Sequence, residues 1–273
     1  MVGDGIRTGG GTPELTRELR ADYDTAAGDW AGGPGPMYDA LARSLVAAAP
    51  VPLAGRLVLD LGAGTGVAGR AALAAGARRV VAADLSEGML RRGRGGTPVV
   101  ADAVALPFRD GRFDLVLAAF CLNHLGHLEA GLAEARRVGA VIAASMFAPG
   151  WTHPAKDAVD DAARSFGFRP PPWHTVLAPG STASDPQVLA GRAAAAGFTG
   201  ARAYTTDVPA GLATPAELAA WRLGMAHFAP FMRSLDAPGR AAVRRAAERA
   251  VAAVAGPGPM MPLVVSMVVL TAG

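Results

Sequence analysis

The chain has 273 residues, 51% of them hydrophobic and 18% charged, which supports a real core and excludes a disordered chain. Its 26 basic residues exceed its 23 acidic ones by three, too weak a field for a nucleic-acid binder. Cys121 is the one cysteine, so no internal disulfide forms and an extracellular scaffold is not expected. The start of the chain has no apolar stretch behind basic residues. The longest apolar run, 263–270, is far shorter than the ~20 residues of a membrane helix. The expectation is a cytoplasmic protein that engages neither nucleic acid nor membrane.

Residues 1–12 are Gly-rich and read as mobile. A helix is predicted from Thr12-Pro13-Glu14, with Thr12 as cap, and a second over 36–49, stopped by Pro50 and Pro52. From Arg56 the texture changes. Apolar runs at 57–61, 80–83, 98–101, 115–122 and 140–146 read as strands, and alanine-rich stretches at 67–76, 86–93 and 128–137 as helices. That alternation predicts an α/β fold with a doubly wound, mostly parallel sheet. After Phe147 it stops. Helices are predicted over 153–166 and 185–196, a proline-rich loop over 169–180 and a strand over 198–208. Two more helices, 214–229 and 236–255, precede a last strand, 262–271.

The most informative stretch is Val58-Leu-Asp-Leu-Gly-Ala-Gly-Thr-Gly66, a buried strand ending in three glycines spaced two apart. Glycine permits the tight turn and lets a ligand approach the backbone. A dinucleotide site has the spacing G-x-G-x-x-G, whereas here the third glycine comes one position early and Val67 takes its place. Asp60, two residues before Gly62, repels a pyrophosphate and attracts an ammonium group. The ligand is therefore expected to carry a positive head. Asp84 ends the second strand, where an acidic side chain accepts from ribose hydroxyls. Leu85 and Met89 follow it, placed to flank an adenine ring. Asp102 ends the third strand, placed to accept from the adenine amino group, with Ala103 beside it. Either aspartate alone reads equally as a helix cap. Three at successive strand ends point to the crevice at the carboxyl edge of the sheet.

The stretch 58–66, with Asp84, Asp102 and Arg112-Phe-Asp-Leu-Val-Leu-Ala-Ala-Phe-Cys-Leu-Asn-His-Leu125, closely resembles the class I S-adenosylmethionine-dependent methyltransferases, nearest to their UbiE-like small-molecule branch. The resemblance covers about 20–147. It implies a seven-stranded Rossmann-like methyltransferase fold and S-adenosylmethionine as cofactor. It also implies that Asp60, Gly62, Ala63, Gly64 and the backbone of Ala118 hold the methionine part, Asp84 the ribose and Asp102 the adenine. Tyr23, in an N-terminal segment whose aromatic residues fold over the cofactor, is a further candidate, with a core tyrosine as the alternative. One domain is expected, made of a covering segment (1–50), a cofactor core (51–148) and a C-terminal half (149–273).

Methyl transfer needs in-line alignment and exclusion of water, and sometimes a base. His124, just past the fourth strand, is the first choice as base or acceptor-orienting group, with Asn123 beside it. A histidine bonded to local backbone is the alternative. No Cys/His cluster has metal-ligand spacing, so no metal is expected. Leu218, Trp221, Met225 and Phe228 recur along one helical face, followed by Phe231 and Met232. The segment 209–259 is therefore expected to be a helical lid on the acceptor, with a core stripe as the alternative. The function expected is methyl transfer from S-adenosylmethionine to a small, largely apolar metabolite, such as one of secondary metabolism. A cyclase or isomerase that binds the same cofactor without methyl transfer is the alternative.

Overall fold

The structure, a computed structural model, describes residues 13–176, 184–255 and 262–273. Thr12, residues 177–180 of the expected loop and 256–259 of the expected lid lie outside them.

Two helices, α1 (Pro13–Ala26) and α2 (Gly35–Ala47), lead into β1 (Leu57–Leu61), α3 (Val67–Ala74), β2 (Arg79–Asp84), α4 (Glu87–Arg92) and β3 (Thr97–Val100). Then come β4 (Leu115–Ala119), α5 (Leu128–Val138) and β5 (Ile142–Phe147). The C-terminal half contributes α6 (Pro154–Ser165), α7 (Pro172–Val176), α8 (Pro186–Ala195) and β6 (Arg202–Pro209). It ends with α9 (Pro215–Leu223), α10 (Ala229–Ser234), α11 (Ala237–Ala255) and β7 (Val264–Ala272).

The strands form one sheet in the order β3-β2-β1-β4-β5-β7-β6. The first five are parallel, and β7 runs antiparallel between β5 and β6. The side-chain period of two splits the core into two layers. Val58, Leu115, Leu117 and Val269 face α2, α6, α9 and α11, while Leu57, Leu59, Val116 and Ile142 face α5 and α8. Burial on both faces explains the unbroken apolar runs of β1 and β4. β2 and β4 flank β1, so the chain order reverses there. That is the switch point where open α/β sheets carry ligands.

Helix starts follow their local sequence. Ser86 caps α4 by accepting from the Met89 amide at 3.1 Å, and Asp185 caps α8. Thr214 and Glu217 make a reciprocal capping box on α9. Three details differ from the sequence reading. β4 stops at Ala119 rather than running to 122, because Phe120 takes a left-handed φ of +54° and a short 3₁₀ turn, Leu122–His124, follows. The single helix expected over 214–229 ends at Leu223, capped by Gly224, and the chain resumes as a 3₁₀ turn and α10 with Pro230 in its first turn. The proline-rich loop contains α7, which Pro172 opens.

Candidate functional site

At the switch point β1 runs into the glycine turn, where Gly62, Gly64 and Gly66 all have positive φ (68°, 54° and 79°). At Gly62 a side chain has no room: a Cβ there sits 2.5 Å from Cys121 Cβ and Sγ. The turn is tied to the end of β2. The amides of Gly62 and Ala63 donate to the Ala83 carbonyl at 2.8 and 3.0 Å, and that of Gly64 to Asp84 Oδ2 at 2.7 Å. The Gly66 amide donates to the Ala63 carbonyl. The amides of Gly62, Ala63, Gly64 and Gly66 are thus engaged within the protein, and a carboxylate stands where a phosphate-binding turn directs its donors.

The crevice above it encloses about 1230 Å³, its open mouth included. Gly62, Ala63, Gly64, Asp84, Leu85, Met89, Asp102, Ala103, Tyr23 and His124 all line it. Asp84 Oδ1 accepts from the Ser86 amide at 2.7 Å, and Asp102 Oδ1 from Val104 at 3.1 Å. Each carboxylate keeps lone pairs for a ligand. Burial raises the Asp84 pKa, against the pull of the Ser86 and Gly64 amides.

Three expected residues sit elsewhere than the sequence reading put them. Asp60 does not line the crevice but lies inside β1, 1% exposed, beneath the turn. Its Oδ2 accepts from the Gly69 amide at 2.7 Å, and its Oδ1 is buried with no hydrogen-bond partner among the described residues. Burial pushes its pKa up to about 7. Ala118 is a correction: it is fully buried inside β4, paired with Ala144, and the backbone bordering the crevice begins at Ala119. Asn123 is also absent from the lining, because the 3₁₀ turn carries it aside, its Oδ1 buried without a partner among the described residues.

The roof is aromatic. Tyr23, Trp30, Tyr38 and Phe120 line the crevice and touch in series, with ring centroids 5.4–5.7 Å apart. Sequence reasoning found Tyr23 and missed the other three, although Trp30 lies in the same N-terminal segment. The Tyr23 hydroxyl and His124 Nε2 are 3.1 Å apart. With Tyr23 donating, the ring proton sits on His124 Nδ1, which is buried without a partner among the described residues. Burial lowers the His124 pKa to about 4, helped by His174. The imidazole is therefore neutral at pH 7.

The lid expectation needs correcting. Leu218, Trp221 and Phe228 are core residues, at most 2% exposed, and among the described residues none of 209–255 lines the crevice. The segment is pinned from behind. Arg222 and Asp160 form a buried two-bond ion pair, at 2.6 and 2.7 Å, and His227 stacks on His174 at 3.9 Å.

Comparison with known proteins agrees with this geometry. Residues 58–140 match the family model described as a methyltransferase domain. The demethylmenaquinone methyltransferase of Clavibacter sepedonicus is 46% identical over 107 residues, covering 37% of this chain and 43% of that protein. The ubiquinone/menaquinone biosynthesis C-methyltransferase UbiE of Cupriavidus taiwanensis is 39% identical over 132 residues, covering 44% and 52%. The chain thus spans about half the length of the curated relatives it matches. Among solved structures, a chain described as a methyltransferase from an antibiotic biosynthesis pathway of Anabaena variabilis superposes with a TM-score of 0.56 at 15% identity, over 84% of this chain and 95% of that one. The fold is the Rossmann-like one of class I methyltransferases, and its cofactor half, residues 58–140, is similar to a methyltransferase domain. The curated relatives of that stretch are of the UbiE kind. Among the described residues, no helix is long and apolar enough to cross a membrane, and no group of three or more His, Cys, Asp or Glu is arranged to hold a metal ion.

Proposed function

We propose that this protein transfers a methyl group from S-adenosylmethionine to a small, planar, largely apolar acceptor. One observation carries the reading: the amides of Gly62, Ala63, Gly64 and Gly66 in the glycine turn are engaged and carboxylates stand around it, which suits a cationic amino-acid head and repels a pyrophosphate. The orphaned Oδ1 of Asp60 supplies the acceptor for that head, directly or through water. Gly62, Ala63 and Gly64 face the methionine part, Asp84 the ribose, and Asp102 and Ala103 the adenine edge, with Leu85 and Met89 against the ring. Tyr23 covers the cofactor. The aromatic roof and the relatives' names, which specify demethylmenaquinone or ubiquinone/menaquinone biosynthesis, both support a quinone-like ring as acceptor. The reading includes a cytoplasmic location and no role for nucleic acid.

When bound, S-adenosylmethionine supplies an electrophilic methyl for in-line displacement by the acceptor. The chain supplies alignment and dryness. Tyr23, Trp30, Tyr38 and Phe120 exclude water and offer flat surfaces to a ring. His124 is too weakly basic to take a proton efficiently near pH 7. It orients the acceptor instead, through the Tyr23 hydroxyl that it holds over the crevice. His124→Ala is therefore expected to lower kcat by less than about tenfold beyond any loss of cofactor affinity that follows from unseating Tyr23. Steady-state kinetics with a quinol acceptor checks this, and a loss of a thousandfold assigns His124 as the base instead.

Asp84→Asn tests the cofactor site. The substitution removes a charge-assisted acceptor, worth ~1.5 kcal/mol at the low end because two backbone amides already share the carboxylate. Affinity for S-adenosylhomocysteine is expected to fall about tenfold by calorimetry. Unchanged affinity in a folded variant removes Asp84 from the site.

A further inference from the structure

Three consecutive residues of α1 each reach a different element around the crevice. Asp22 Oδ2 accepts from Trp173 Nε1 of α7 at 2.6 Å. The Tyr23 hydroxyl meets His124 Nε2 in the turn after β4. Asp24 Oδ1 accepts from Ser86 Oγ at 2.6 Å and from the Gly88 amide at 2.7 Å, at the start of α4. These partners lie 62 to 151 positions away along the chain. Successive helical side chains point about 100° apart, so one turn of α1 is gripped from three sides. The same helix walls the crevice through Thr16, Leu19, Arg20 and Tyr23. The α4 end of the grip also carries cofactor candidates: Ser86 donates its amide to Asp84, and Leu85 and Met89 flank it.

We propose that Asp22 and Asp24 are positioning residues that clasp α1 across the crevice, so that cofactor binding and the seating of Tyr23 on His124 are one coupled event. This rests on reading the crevice as the S-adenosylmethionine site. A ligand that touches both α1 and the glycine turn favours the docked helix, and by linkage the docked helix favours the ligand. Neither aspartate lines the crevice, so each acts through Tyr23 and α4.

Gly88 gives a clean probe. A Cβ there comes within 2.9 Å of Asp24 Cα and 3.0 Å of its carbonyl oxygen, which are backbone atoms that yield only if α1 moves. Gly88 does not line the crevice, and alanine favours the helix α4 that contains it.

The experiment is trypsin cleavage after Arg17 and Arg20, both exposed on α1, with and without S-adenosylhomocysteine, alongside calorimetry and thermal melting. In the unmodified protein the ligand is expected to slow cleavage at least fivefold. Gly88→Ala, Asp24→Ala and Asp22→Ala are expected to lose that protection and to bind the ligand about tenfold more weakly, while melting cooperatively. Asp24→Asn keeps the accepting oxygen and is expected to keep the protection, which a loss of general stability does not predict. Binding and protection unchanged in Gly88→Ala and Asp24→Ala overturn the clasp and leave the cofactor reading standing. Absence of binding to the unmodified protein overturns both.

Discussion

Asp160→Ala is expected to destabilise the fold by about 3–5 kcal/mol, the cost of leaving a buried charge without its partner. Asp160 and Arg222 are 7% and 6% exposed, and the guanidinium donates both Nε and Nη2 to the carboxylate. It also lies over the Phe228 ring, 5.4 Å from the centroid. Removing the carboxylate strands this cation between α6 and α9, where water does not reach it. Replacing both partners, as Asp160→Leu with Arg222→Met, is expected to recover most of the loss, because the paired charges themselves are costly to desolvate. Urea unfolding of the single and double variants checks this. A loss under 1 kcal/mol in Asp160→Ala means that the pair is solvated and the C-terminal segment loosely held.

That pair bears on what the sequence could reveal. Periodicity at Leu218, Trp221 and Phe228 identifies one apolar face but does not say what the face packs against. A roof and a core face have the same pattern, and only tertiary contacts decide. Here the ion pair behind the stripe and the stacking of Phe168 on Phe228 at 4.1 Å fix it as core. The Rossmann-like half was far more legible. Its strands are buried on both faces, so their apolar runs stand out, and its glycine turn follows from backbone demands that few other residues satisfy. Errors there are local. Ala118 missed the crevice because β4 still runs through it, and the strand ends one residue later, before the left-handed Phe120, a conformation no sequence rule anticipates for phenylalanine.

The α1 contacts were legible only in part. Tyr23 carried a signal through the resemblance, but Asp22 and Asp24 look like ordinary exposed helix acids. Their partners lie in α7 and α4, so only the fold brings them together. Asp60 shows the opposite case. Its identity as a cofactor candidate was plain from the turn, but its burial beneath that turn, which sets its chemistry, was not.

Affinity for S-adenosylmethionine is expected to fall about tenfold for each pH unit below 7, down to about pH 5. Desolvation raises the Asp60 pKa to about 7, and the neighbouring Asp84 adds to it; the Gly69 amide and Arg70 pull the other way. Over roughly pH 4–7 the folded free protein therefore holds a proton on Asp60 that the unfolded chain has lost. The sign follows: this group stabilises the fold less as pH rises from the unfolded value near 4 to 7. Binding works in the opposite direction. A neutral carboxyl does not attract an ammonium group, so the ligand must bind the deprotonated form and displace the proton. Each unit below the free-state pKa then costs a factor of ten, or about 1.4 kcal/mol. Calorimetry between pH 5 and 7.5, in buffers of different ionisation enthalpy, is expected to give close to one proton released per ligand at pH 6. Asp60→Asn removes the titrating group while keeping the volume. It is expected to bind weakly at pH 7.5 and to show little change down to pH 5.5. A slope that survives in Asp60→Asn assigns the titration to another group, Asp84 first, and takes the ammonium contact away from Asp60.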